Sequence, residues 1–453
     1  MNSSEDKTDP TLRRRASAVR ILNPGEAIEQ PERRAFLRVL SAQGVSIPAA
    51  YLLLNGSSGD AQAAAAEPGI PAYGTKRPTS PVATGSVLRD FADPYVEIIR
   101  LLREAAEIEH ALMIQYLYAA FSVKPAYAAI AGFGAPNSND LLGVAVQEMS
   151  HLRQVNSLLV ALGAAPNLIR QDFPIRHDVY PFEFNLEPLS QKSIAKYMYT
   201  EAPPQALDRR QAKSPAERKV LDLLDRVLGP GTRINHVGSL YAAVIGTLDE
   251  YSSVSKEHAD LKSWLPKLVQ IQREGEEDHF EFFKRLFLGT HEGFKGHPAI
   301  WSLSPNDPAY PARPLPVNPS AFFGHENQIQ DPLALSLAWL GNLHYWTILL
   351  LSDFAYCEAA PEYAVLAKQQ MMGPFMSLAR HLPTLGAGMP YEPLSTGYAP
   401  CHEDAAALKF IACMVREANV LARGLKDRLP ADYPLSVGEE TLNALSEKRA
   451  KQA

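Results

Sequence analysis

The chain has 453 residues, 46% hydrophobic and 21% charged, with formal net charge −6. The mildly acidic balance argues against a nucleic-acid binder, which needs a basic face. Three cysteines are too few for a disulfide scaffold, no apolar run reads as the ~18–20 residues of a membrane helix, and no repeat or low-complexity tract dominates.

Residues 1–66 read as an export signal. Arg13, Arg14 and Arg15 lie in a polar stretch, followed by Glu32-Arg33-Arg34-Ala35-Phe36-Leu37-Arg38. Apolar and small residues then run from Val39 to Leu54, and Ala61-Gln62-Ala63 offers a small-residue cleavage site. This is the charged, apolar, small-residue order of a secretory signal. The paired arginines before Phe36-Leu37 resemble the twin-arginine signal, which carries folded proteins across a membrane, so a periplasmic or secreted location is expected. The competing reading is a polar N-terminus followed by one buried helix.

Residues 67–90 read as a leader or linker rich in turn residues. Asp93-Pro94 then supplies a helix cap with proline in the first turn. The helix predicted from there to about Val123 has the apolar stripe Leu102, Ala105, Glu109, Leu112, Tyr116, Ala120. A second helix is predicted from Asn139 or Asp140 to Gly163, with the stripe Leu141, Ala145, Glu148, Leu152, Val155, Leu159 and with His151 one turn beyond Glu148. Residues 170–190 read as extended loop with aromatic anchors. A short helix from Ser190 to Tyr199 precedes Glu201-Ala202-Pro203-Pro204, and the charged stretch 205–232 reads as a cover. A third long helix is expected over about His236 to His258, and a fourth over Trp264 to Leu288. The fourth carries Leu268, Gln272, Glu276, His279, Phe283 and Leu286 on one stripe.

An isolated buried carboxylate costs several kcal/mol. Here three glutamates, Glu109, Glu148 and Glu276, sit on three apolar stripes, and two are followed by histidine at i+3. Residues i and i+3 share a helix face, so each Glu-x-x-His aims an oxygen and a nitrogen donor at one point. A bound metal supplies the charge that makes such burial tolerable. Two facing Glu-x-x-His helices plus a glutamate from another describe the dimetal centre of ferritin-like bundles. Imidazole and carboxylate donors suit iron, two ions being expected, with manganese or zinc as alternatives. Glu107, His110, Glu274 and Glu277 lie off the stripes and read as solvated groups or supports for the ligands.

The chain also resembles known families. Glu109-His110-Ala111-Leu112-Met113-Ile114-Gln115-Tyr116 is similar to the first ligand helix of bacterioferritins, and Glu148-Met149-Ser150-His151, continuing to Gly163-Ala164-Ala165-Pro166, to their second. A nearer resemblance is to the ferritin-like domain family named after iminophenyl-pyruvate dimer synthase, of the violacein and rebeccamycin pigment pathways. It rests on Glu109-His110-Ala111-Leu112 with Gln115-Tyr116-Leu117-Tyr118, on Gln147 to Leu152, and on Asp172-Phe173-Pro174. Tyr180-Pro181-Phe182, Leu186 to Ser190, Val237-Gly238-Ser239-Leu240-Tyr241, and Gly373-Pro374 through Pro390-Tyr391-Glu392 add to it. The resemblance implies an all-α fold: a ferritin-like four-helix bundle over 91–290, with a long irregular insert between helices 2 and 3 and a helical C-terminal extension. It does not transfer the dimerisation reaction.

The third helix departs from that pattern. The family places a glutamate where Ser239 stands, and Asp249 and Glu250 are two turns away, ~10 Å at 1.5 Å per residue. The resemblance also places a glutamate before proline, so Glu201 is the candidate replacement; the alternative is a C-terminal turn residue. Without a replacement the site holds one metal, or two with an open edge.

Residues 291–325 read as a Pro/Gly-rich linker, 326–440 as a helical region with helices Leu333–Cys357, Gln369–Leu382 and Ala405–Leu425, and 441–453 as a frayed tail. His344 reads as a hydrogen-bonded core histidine, and Met371, Met372 and Met376 as core filler. Cys401 and Cys413 could pair, leaving Cys357 free.

The function expected is an exported non-haem metal oxidoreductase. It would use O2 or peroxide on a small organic substrate such as an amine or amino-acid derivative. Tyr116, two turns from Glu109, is a catalytic candidate as donor or redox relay, with a structural role as the alternative. Competing readings are a ferroxidase or metal-handling protein, and a non-catalytic scaffold or partner of an oxidase. The partners expected are the substrate or O2 and a second copy in a homodimer. No nucleic acid is expected, and no membrane span once the signal is cleaved.

Overall fold

Asp93 opens the first helix, α1 (Pro94–Ser122): its carboxylate accepts from the Tyr95 and Val96 amides while Pro94 occupies the first turn. Asp140 does the same for α2 (Leu141–Ala161), accepting from Gly143. Gly163, at φ +80°, closes α2 in the left-handed region. The computed structural model describes residues 87, 89–175, 182–229, 237–254, 256–297, 299–357, 361–393 and 404–452. The expected export signal and nearly all of the 67–90 leader lie outside these, as does Cys401.

α1 and α2 pack along their lengths as the first half of a bundle. The second half is built differently from a plain helical pair. Helix α3 (Gln191–Glu201), capped by Ser190, is followed by α4 (Pro215–Leu228), a surface helix that buries only Leu221 and Leu224. Helix α5 (Val237–Val254) then packs on α1 and on α6 (Leu265–Arg273). A π turn, Glu274–His279, joins α6 to α7 (Phe280–Phe287), and α7 packs on α3. The third rod of the bundle is therefore in two pieces. α3 covers the α7 half of the last rod and α5 covers the α6 half. Among the described residues β-structure is limited to isolated bridges such as Ile175–Phe184.

Segment 291–325 is not a linker. His291, Phe294, Ile300 and Ala312 are buried, and the Lys124 amide donates to the Pro311 carbonyl. Aromatic anchors explain the difference: Phe294, Trp301 and Tyr310 stack edge-on in series, holding a chain that Pro and Gly keep irregular. The same hydrophobic core continues from α1 into α8 (Pro332–Cys357) and beyond. α8 corrects the expectation that no segment could span a membrane: Pro332–Tyr356 is long and apolar enough, with mean hydropathy 1.3, yet 72% of its apolar window is buried inside the fold. Helices α9 (Pro361–Gln370), α10 (Met376–His381), α11 (Asp404–Gly424) and α12 (Leu435–Gln452) surround it. The stretch expected to fray is helical, and Leu445 is buried in a second cluster with Leu351, Phe354 and Leu408. His344 is a core histidine bonded to Gln370 and Tyr433. Met372 is 56% exposed, so the three methionines are not simply core filler. Cys413 is exposed on α11.

Candidate metal centre

Glu109 from α1, Glu148 and His151 from α2, Glu201 from the end of α3 and His279 from the π turn converge inside the bundle. All five are at most 4% exposed. They form two groups, Glu109–Glu148–His151 and Glu148–Glu201–His279, in each of which one donor atom per residue lies within 4.8 Å of the others. Glu148 belongs to both. Its Oε2 is 2.9 Å from His151 Nδ1, and its Oε1 is 3.1 Å from His279 Nδ1. Glu109 Oε2 stands 3.6 Å from His151 Nδ1, and Glu201 Oε2 stands 3.8 Å from His279 Nδ1.

These atoms fit metal ions better than they fit one another. Glu109 Oε2, Glu148 Oε1 and His279 Nδ1 are buried with no hydrogen bond, although the last two are only 3.1 Å apart. Proximity without alignment is what donors aimed at a common third atom produce. A glutamate offering one oxygen to each of two groups is the bridging arrangement of paired carboxylate–histidine centres. The donor set, three carboxylates and two imidazoles, suits iron or manganese, with zinc as competitor.

Surrounding groups hold the donors in place. His151 Nε2–H donates to Glu274 Oε2 (2.8 Å), and Glu274 is braced by Gln270. His279 Nε2–H donates to Gln147 Oε1 (3.2 Å). Both contacts leave Nδ1 as the inward nitrogen, as outer partners of metal-binding histidines do. Tyr241 of α5 donates to Glu109 Oε1 (2.5 Å), and Tyr116 of α1 donates to Glu201 Oε1. Tyr116 is packed against Tyr197 and Phe283. The cavity left at the centre is about 10 Å³, room for one water or diatomic molecule.

Without an ion the cluster neutralises itself. Burial, then the neighbouring Glu148, pushes Glu109 up to about 8. Burial opposes charge on Glu148, but His279 and His151 outweigh it and hold the carboxyl well below its usual range. Burial likewise opposes charge on the histidines. Glu148 overrides it, raising His279 to about 10 and, with Glu109 and Glu274, His151 well above its ordinary value.

The structure brings together Glu109, Glu148, His151, His279 and Glu201. It places Tyr116 on a ligand carboxylate. Glu276 differs. The π turn there takes more than four residues per revolution, and Glu276 stands outside both donor groups although it lines the same cavity as His279. It is half-buried at the cavity edge, and its Oε1 accepts from Gln272 (3.2 Å). The same oxygen occupies the space a Cβ at Gly238 would need. α3 ends and α5 begins at this one cavity, which Glu201, Val237 and Gly238 all line. Glu201 thus brings a carboxylate to this cavity, in one group with Glu148 and His279. Sequence reasoning missed Tyr241 and Gln147 as supports. Tyr241 carried a signal, a phenol within the apolar run of α5 one turn from Gly238. Gln147 carried none.

Comparison with known proteins agrees with this geometry. Residues 102–286 match the model of the ferritin-like family. Part of the chain is 33% identical over 131 residues to dichlorochromopyrrolate synthase of Lentzea aerocolonigenes. That match covers 24% of this chain and only 13% of the relative's length. No solved structure matches the chain. The bundle of residues 102–286, with its carboxylates and histidines turned inward, is a ferritin-like domain.

Proposed function

We propose that Glu109, Glu148, Glu201, His151 and His279 would hold two metal ions, iron in the native protein, with Glu148 common to both groups. The protein is then an oxidoreductase that uses O2 or peroxide on a small organic substrate such as an amine or amino-acid derivative. The observation that carries this is Glu148: each of its oxygens meets a different histidine, and Oε1 has no hydrogen bond. The partial likeness to a synthase supports an enzyme over a scaffold. A bound pair of iron ions supplies redox equivalents at the centre. The chain's own residues do the rest. Glu274 and Gln147 orient the imidazoles, Tyr116 and Tyr241 hold the outer carboxylates, and the packed aromatic wall of Tyr197 and Phe283 keeps bulk water out.

A second reading, oxidation of ferrous iron itself, is favoured by the tightness of the centre, whose cavity of about 10 Å³ holds nothing larger than a diatomic molecule. Oxygen uptake separates the two. Uptake driven by ferrous iron alone supports metal handling, and uptake that requires an organic substrate supports the oxidase. Elemental analysis of the purified protein tests the centre itself: about two transition-metal ions per chain are expected, and none would overturn both readings.

Folded export follows from the same proposal. A centre buried on all sides is loaded as the chain folds, which suits a twin-arginine route for a periplasmic or secreted protein. Arg33→Lys with Arg34→Lys should leave the protein in the cytoplasmic fraction. Unchanged fractionation would reject this route. A homodimer is proposed for the assembled form, with sedimentation as its test.

A further inference from the structure

The backs of α1 and α2, turned away from the candidate centre, line a second and far larger space. A cavity of about 830 Å³ lies between these two helices, α8, α9 and the π turn Met371–Phe375. That volume is in the range of sites for organic ligands, against about 10 Å³ at the centre. Neighbouring residues divide the two spaces. Leu112 and Glu148 face the centre, and Met113 and Met149 face the large cavity.

Its walls are apolar and adaptable. Met113, Met149, Met371 and Met376 line it with Phe375, and thioether side chains fit ligands of varied shape. Against this background the charge is one-sided. Arg153 on α2 and Lys368 on α9 line the cavity and are exposed, so they stand where it opens to solvent. Among the described residues no Asp, Glu or His lines it, and neither cation has an ion pair. Deeper in the wall, Tyr391 is 1% exposed, and its hydroxyl has no hydrogen-bond partner. A buried hydroxyl is seldom left so unless a ligand or water meets it. The ring is fixed by Tyr345 and Phe375, and the backbone there holds a left-handed φ of 50°.

We infer that this cavity binds a small organic anion with an apolar body, its carboxylate held at Arg153 and Lys368 and its body among the methionines and Phe375. A neutral apolar ligand would give the two cations no role. A protein partner or membrane would meet a flat face, not a space enclosed by four helices. The inference does not rest on the metal centre. Protein stripped of metal retains the site.

The test uses the full chain with 8-anilinonaphthalene-1-sulfonate as fluorescent probe and dodecanoate and dodecan-1-ol as competitors. One equivalent of probe should bind, and dodecanoate should displace it. Arg153→Gln with Lys368→Gln should weaken dodecanoate about tenfold, the scale of two exposed charge contacts, while dodecan-1-ol competes as before. Ala355→Trp, which fills the cavity from α8, should abolish probe binding. Val365→Trp, at a wall position 55% exposed, does the same without reaching into the core, and thermal unfolding confirms that each variant folds. Equal weakening of acid and alcohol, or probe binding untouched by either tryptophan, would overturn the proposal.

Discussion

Two pairs of histidines are equally buried in this molecule and electrostatically opposite. His151 and His279 lie inside the bundle. His110 and His344 lie where the C-terminal helices pack, and all four are at most 2% exposed. Burial lowers every one of them. His110, whose Nε2 accepts from the Tyr345 hydroxyl (2.6 Å), falls to about 3, and His344, between Gln370 and Tyr433, to about 4. The bundle pair goes the other way because Glu148 sits against both rings. An imidazole with no carboxylate against its ring stays neutral and calls for no cation. An imidazole among more carboxylates than it can satisfy is a site waiting for a cation.

The strongest way to break this comparison is to remove the shared carboxylate. Glu148→Ala should take bound metal from about two ions per chain to none, since both groups lose a donor. His279→Ala should leave one. His110→Gln and His344→Gln should change metal content not at all. Elemental analysis of the four variants decides it, and metal loss in His344→Gln would mean that the two pairs had been assigned wrongly.

Proton release sharpens the same contrast. Without metal His151 and His279 carry protons, as does Glu109, pushed up to about 8. Metal needs deprotonated donors, so loading must expel these protons and must weaken as pH falls. Calorimetry in buffers of different ionisation enthalpy should register release of more than one proton per chain at pH 7.

The stability of the metal-free protein should carry opposite pH signatures from the two pairs. His344 has a depressed folded value, so between pH 6.5 and 4 the unfolded chain takes up a proton that the folded one refuses. Stability falls as pH falls through that window, by about 3 kcal/mol for a shift from the ordinary 6.5 to about 4. His279 has a raised value, so its contribution is full below pH 6.5 and is lost as pH rises through about 10. Urea unfolding from pH 7 to 5 should show a flatter decline for His344→Gln than for the parent.

Much of the centre was legible because its physics is periodic. Glu109, Glu148 and His151 stand on regular α-helical stripes, and caps at Asp93 and Asp140 set the phase. What failed was phase, not composition. The π turn at Glu274–His279 left Glu276 outside both donor groups, and nothing local in Glu-Gly-Glu-Glu-Asp-His announces an i→i+5 turn. The 291–325 segment misled for a related reason: its turn residues predict irregular chain, and irregular chain can still be buried when aromatic residues pin it. Cavities are harder still to read. The space behind α1 and α2 exists because distant helices fail to fill it, a tertiary fact that no stripe encodes.

Smaller effects test the supports. Tyr241→Phe removes only the hydrogen bond to Glu109 and should cost about tenfold in metal affinity with both ions still bound, the lower end of what such outer contacts contribute. The smallest expected effect is the most informative about how the third rod is divided. If Glu201 at the end of α3 has taken over the place that a glutamate at position 239 would hold, Ser239→Ala should leave metal content and affinity unchanged, although Ser239 is 3% exposed and follows Gly238, which lines the centre. Glu201→Ala should lose one ion of the two. Loss of metal in Ser239→Ala with retention in Glu201→Ala would place the fourth donor on α5 after all. The break between α3 and α5 would then be a feature of the chain's path and not of its chemistry.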